Sequence, residues 1–154
     1  MASLTLVHVL ISVIGIISGL IVLFGFLKAK RMDGWNAIFL VSTILTSITG
    51  YFFPFHKLLP SHILGAISLP VLALALVARY SKHMAGPWLR TYIISAMVAF
   101  WLNFFVLIAQ AFMKQPALHA LAPTGSEPPF LITQVVVMLI FIALTVFAVK
   151  HSRV

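Results

Sequence analysis

Eight side chains in this sequence are of types that do chemistry in or beside an apolar phase: His8, His56, His62, His119, Asn103, Gln110, Gln134 and Glu127. A neutral imidazole ligates iron, zinc or copper, and two imidazoles from facing helices can hold a haem iron from both sides. His8 and His62, each followed by glycine at Gly15 and Gly65, are the pair that would hold haem b. Asn103, Gln110 and Gln134 extend that cofactor set towards a quinone, whose carbonyls accept hydrogen bonds from imidazole or carboxamide. His56, His62, His119 and Glu127 are the set that would hold zinc or copper. No short ligand pair such as H-x3-H joins them, so that set lacks the local spacing of a structural zinc site. The plain alternative for every one of these histidines is an interfacial side chain that is solvated or bonded to a backbone carbonyl.

All of these residues lie on or beside long apolar runs. Of the 154 residues, 62% are hydrophobic and 8% charged, whereas a soluble domain is nearer half apolar and a quarter charged. Five segments, residues 4–27, 35–53, 62–80, 88–113 and 130–149, approach or exceed the ~20 residues that carry a helix across hydrocarbon. Alternating ten-residue strands, the mark of a membrane barrel, are absent from the sequence. The expected fold is therefore all-α: a single domain over residues 1–154, an integral membrane bundle of five transmembrane helices. The first run lacks the basic start and small-residue cleavage site of a signal peptide and is expected to be retained as a helix.

The ten Lys and Arg against one Asp and one Glu give a net charge of +8. In a soluble chain that balance would point to nucleic acid, but here the bases flank apolar runs and read as orientation signals and headgroup contacts, with no nucleic-acid partner expected. Lys28, Lys30, Arg31, Arg79, Lys82, Arg90, Lys150 and Arg153 fall on one side of a five-span chain, and Lys57 and Lys114 on the other. The positive-inside rule then puts the amino terminus outside and the carboxyl terminus in the cytoplasm. His56, His62 and His119 become external, and His8 sits about 6 Å below the outer end of its span at ~1.5 Å per residue. With no cysteine, the sequence offers neither disulfides nor thiolate metal sites.

Polar and small residues mark the faces expected to look inward. Asn103 and Gln110 are seven apart on one helix face; Ser42, Thr43, Thr46 and Ser47 form a hydroxylated stripe; Gly15 and Gly19 have GxxxG spacing. Pro70 is expected to free the Ala66 carbonyl and bend its helix. No acidic residue lies within the spans, which argues against ion coupling through a buried carboxylate. Neither a glycine-flanked serine elbow nor a phosphate-binding glycine loop is present, so the sequence gives little support to hydrolytic catalysis.

The segments "QAFMKQPALHALAPTGSEPPFLITQ", "TGYFFPF" and "SHILGAISL" resemble a family of small, uncharacterised bacterial polytopic inner-membrane proteins. The resemblance covers most of residues 35–150 and implies location in the bacterial inner membrane without implying an activity. More distantly, the front half is similar to predicted membrane-helix families of the haem or quinone type, the matching residues being His8, Gly15 and Gly19, and His62 with Gly65. The expectation is a non-catalytic membrane subunit or accessory protein, associating through small-residue helix faces as a homo-oligomer or within a larger complex. The alternatives are a redox protein holding haem b or quinone near the outer face, and a small-solute transporter or channel formed as an oligomer.

Overall fold

The computed structural model describes residues 2–28, 32–50, 60–123 and 127–151. It is all-helical, with no strand among the described residues. The elements are α1 (Ala2–Leu27), α2 (Asp33–Gly50), α3 (Pro60–Leu76) running into a π-helical turn (Val77–Ser81), α4 (Pro87–Lys114), a short α5 (Pro116–Leu121) and α6 (Pro128–His151). The five long helices begin within two residues of the starts expected from the apolar runs. Helices α3 to α6 each open on a proline. At a first helical position the missing N–H has no intrahelical partner to lose, and the fixed φ suits the helix.

Among the described residues, three helical stretches are long and apolar enough to cross a membrane: Leu6–Leu27, Pro87–Ala109 and Pro128–Lys150. Helix α4 is the centre of the bundle and packs against α1, α2, α3 and α6. Its Phe100 ring meets Phe39 of α2 at 5.9 Å and Phe141 of α6 at 5.1 Å, both edge-on. The edge of one ring then faces the electron-rich face of the next, as the aromatic quadrupole favours. Gly19 of α1 lies against the same ring; a Cβ there would stand 2.9 Å from Phe100 carbons. The glycine lets α1 approach α4 closely, and Phe100 fills the space it leaves. Gly15, Ser18 and Gly19 are all buried in this seam, so the small-residue face of α1 is occupied within the chain.

Residues 82–86 fold the chain back from α3 to α4. His83, Met84 and Gly86 all take positive φ, and the Met84 N–H donates to the Ala78 carbonyl at 2.8 Å. In the π-turn the Lys82 N–H reaches back to the Val77 carbonyl at 2.9 Å. Such a turn inserts a residue into the helical phase and re-aims the side chains beyond it. Ala78 and Arg79 are buried as a result.

Candidate functional site

The polar residues separate into two groups at opposite ends of the bundle. At one end α1 and α2 run antiparallel, so that residue 8 faces residue 49 and residue 15 faces residues 42 and 43. His8 Nδ1 lies 2.7 Å from Thr49 Oγ1. The Thr49 hydroxyl donates to the Leu45 carbonyl at 2.7 Å, which leaves its oxygen to accept from a His8 Nδ1–H. One step across the bundle, the Ser47 hydroxyl donates to Ser68 Oγ at 3.3 Å and links α2 to α3.

Deeper in, the Asn103 amide of α4 meets α1 and α2. A Cβ built on Gly15 would stand 3.1 Å from Asn103 Nδ2 and 3.4 Å from both Ser42 Oγ and Thr43 Oγ1. Among the described residues, nine helical hydroxyls, from Ser12 to Thr145, donate to the carbonyl four residues back, the usual way a helix absorbs them. Thr43 does not: its buried Oγ1 has no partner, and neither has Asn103 Nδ2. Gln134 of α6 donates from Nε2 to the Phe105 carbonyl at 3.2 Å, while its Oε1 is buried without a partner.

The structure thus brings Asn103 to Gly15, Ser42 and Thr43, but it does not gather the whole cofactor set at one point. His8 lies two turns outward of Gly15 on α1. Gln134 bonds at Phe105, two residues and about 200° around α4 from Asn103 at ~100° per residue. The His62 and Gln110 side chains and the whole of His56 lie outside the described residues. Of the metal set, His119 is exposed on α5, and Glu127 precedes α6, its carbonyl accepting from the Phe130 N–H at 3.1 Å. Among the described residues no three histidines or acids come together as a metal centre.

At the other end lies a cluster that sequence reasoning missed. The Arg79 guanidinium is buried, its side chain 3% exposed, and pairs through Nη2 with Asp33 Oδ1 at 2.5 Å, while the Asp33 side chain is 66% exposed. Arg79 Nη1 also points to Met84 Sδ at 3.6 Å, and the guanidinium carbon stands 5.0 Å from the centre of the Tyr92 ring. The Tyr92 hydroxyl donates to Asn36 Oδ1, and Asn36 Nδ2 donates to the Met32 carbonyl at 2.9 Å. The buried cation thus has a carboxylate on one side and an aromatic face on the other, which lowers the penalty of taking it out of water. It ties the starts of α2 and α4 to the end of α3. Arg79 read only as a flanking base because nothing in the sequence announces the π-turn that carries it inward.

No family model, no curated protein and no solved structure matches the chain. Function has to be argued from these two clusters and from the helix faces left uncovered.

Proposed function

We propose that the chain is a five-span protein of the bacterial inner membrane, with its amino terminus outside and its carboxyl terminus in the cytoplasm, and that it acts as a non-catalytic subunit or accessory protein of a larger membrane assembly. The lengths agree with five spans. Helix α2, at 18 residues, measures about 27 Å, and α3 with its π-turn, at 17 and 5 residues, about 33 Å, against ~30 Å of hydrocarbon. The antiparallel order then gathers Lys28, Arg79, Lys82, Arg90 and Lys150 at one end, in keeping with a cytoplasmic face.

The observation that carries the subunit reading is α6. Only 6% of its membrane-length window is buried within the chain, against 44% for the central α4. Leu131, Ile132, Val135, Leu139, Ile142 and Phe147 all stay open along its length. In a bilayer that face meets lipid or another protein's helix. The small-residue face of α1 is already filled by Asn103 and Phe100, so we assign association to α6 instead. A photo-crosslinking amino acid at Ile140 tests this in intact membranes. The subunit reading expects a discrete protein adduct from Ile140 and none from the buried Phe100; lipid adducts alone from Ile140 would count against it.

The second reading is the redox one, and the His8 geometry favours it. A ligating imidazole usually has its other nitrogen fixed by a hydrogen bond, as Nδ1 is by Thr49. On this reading haem b or a quinone sits near the outer face, with His8 and His62 as the candidate ligands. Purified protein would show a Soret band that His8→Ala removes, or release a quinone into solvent. A colourless preparation with an empty extract would rule it out.

A further inference from the structure

Where α4 begins and α6 ends, the two helices border a half-open cavity of about 340 Å3. Gly86, Pro87, Leu89, Arg90 and Ile93 line it from the start of α4, and Val149 from the end of α6. Its size is that of a small-molecule site. Its lining is divided: Pro87, Leu89, Ile93 and Val149 form an apolar wall, and Arg90 supplies a cation. Its depth is fixed by the helices themselves. The membrane-length stretches are Pro87–Ala109 and Pro128–Lys150, so the cavity lies where the first starts and the second stops. In a bilayer that is the level of the headgroups, and the half-buried Trp88 is a residue type that belongs there. No acidic side chain lines the cavity. Of the chain's two, Asp33 pairs with Arg79 and Glu127 precedes the opposite end of α6. Arg90 is exposed, Lys150 follows Val149, and Lys82 Nζ stands 5.6 Å from the centre of the Trp88 ring, so the local field is positive.

We propose that this cavity seats the phosphate of an anionic phospholipid against Arg90, with the start of an acyl chain along the apolar wall. The inference rests on the membrane reading of the chain, though only on α4 and α6 crossing the bilayer and not on the number of spans. A planar guanidinium matches a phosphate through parallel N–H donors, which a lysine cannot do. Basic cavities between membrane helices hold anionic headgroups in this way. A free anion would use Arg90 alone, since four of the six lining residues are apolar. A phospholipid uses both halves of the lining, because it carries its charge at the headgroup and its apolar part immediately below. It is also the anion that a bilayer already holds at this level.

Purified protein reconstituted in phosphatidylcholine vesicles tests this. Spin-labelled phosphatidylglycerol and phosphatidylcholine are compared for the fraction held immobile on the protein. The proposal expects phosphatidylglycerol to be preferred. Arg90→Gln should lower that preference about fivefold, the factor for one lost basic contact with an anionic lipid. Val149→Phe, which keeps the charge and fills the cavity, should lower it as well. Lys28→Gln removes the same charge from an exposed base elsewhere and should leave it unchanged. Excess inorganic phosphate should not displace the lipid. The proposal is overturned by an undiminished preference in Arg90→Gln or Val149→Phe, by an equal loss in Lys28→Gln, or by displacement with inorganic phosphate. It is also overturned by an inserted wild-type protein without preference, which would leave the cavity to an acidic segment of a partner. Should Val149→Phe fail to fold, Arg90→Gln against Lys28→Gln still decides. Flotation separates the two failures: protein that does not float with the vesicles contradicts the membrane reading itself, whereas protein that floats without preference contradicts this site alone.

Discussion

Gly19 and Phe100 show how one missing methyl decides the packing of a seam. Alanine at position 19 would put a carbon 2.9 Å from the Phe100 ring, and that ring is held by Phe39 and Phe141 and cannot simply turn away. Gly19→Ala should therefore destabilise the folded protein by about 1–3 kcal/mol, the usual penalty of overpacking. Unfolding in detergent measures it, and adding Phe100→Leu should recover part of the loss. At the Arg79 cluster, Tyr92→Phe removes the hydroxyl that donates to Asn36 and should cost about 1 kcal/mol in the same assay. The Asp33–Arg79 pair is different in kind. Its carboxylate is largely in solvent, so a double-mutant cycle with Asp33→Asn and Arg79→Gln should give a coupling of only about 0.5–1 kcal/mol, smaller still at high salt. A coupling of several kcal/mol would mean that the carboxylate is far less hydrated than its exposure indicates.

Helices and their limits were legible where local chemistry decides them. The apolar runs gave five segments, and the prolines at positions 60, 87, 116 and 128 mark where helices start, because a proline ring stops one helix and suits the first turn of the next. What the sequence concealed was phase. A base at position 79, seven residues before a loop glycine, reads as an interfacial lysine-like flank until the π-turn rotates it inward against Tyr92. The pairing of Asp33 with Arg79 is likewise a property of how α2 and α3 meet, and no local spacing encodes it. Asn103 was recognisable as a polar group in an apolar run, but its destination at Gly15 depended on the register of α1 against α4. His56 illustrates a different limit, since it lies outside the described residues. Helix α6 yields the prediction proper to this scale. Ile140 lies mid-way along it and faces outward. Ile140→Leu should leave stability within about 0.5 kcal/mol, as a lipid- or partner-facing exchange of equal volume. Ile140→Lys should disfavour insertion of the helix by about 2.5–3.5 kcal/mol, visible as a fall in correctly inserted chains by a reporter fused after α6.

For the whole molecule, the two polar clusters and the aromatic layer between them acquire meaning only from their placement across the bilayer. In the proposed five-span arrangement, His8, Thr49 and the Gly15 seam would belong to the outer half, and the Arg79 cluster would sit at the cytoplasmic boundary with most of the basic residues. An even number of spans would place both termini on one side and break that correspondence, since the bases at Lys28 and Lys150 would no longer share a face. The most direct measurement is therefore the accessibility of both ends in intact cells, by a membrane-impermeant thiol reagent on single cysteines introduced at Ser3 and Ser152 of the otherwise cysteine-free chain. The five-span arrangement predicts labelling at position 3 and protection at position 152 until the membrane is permeabilised. Equal labelling of both positions in unbroken cells would contradict it.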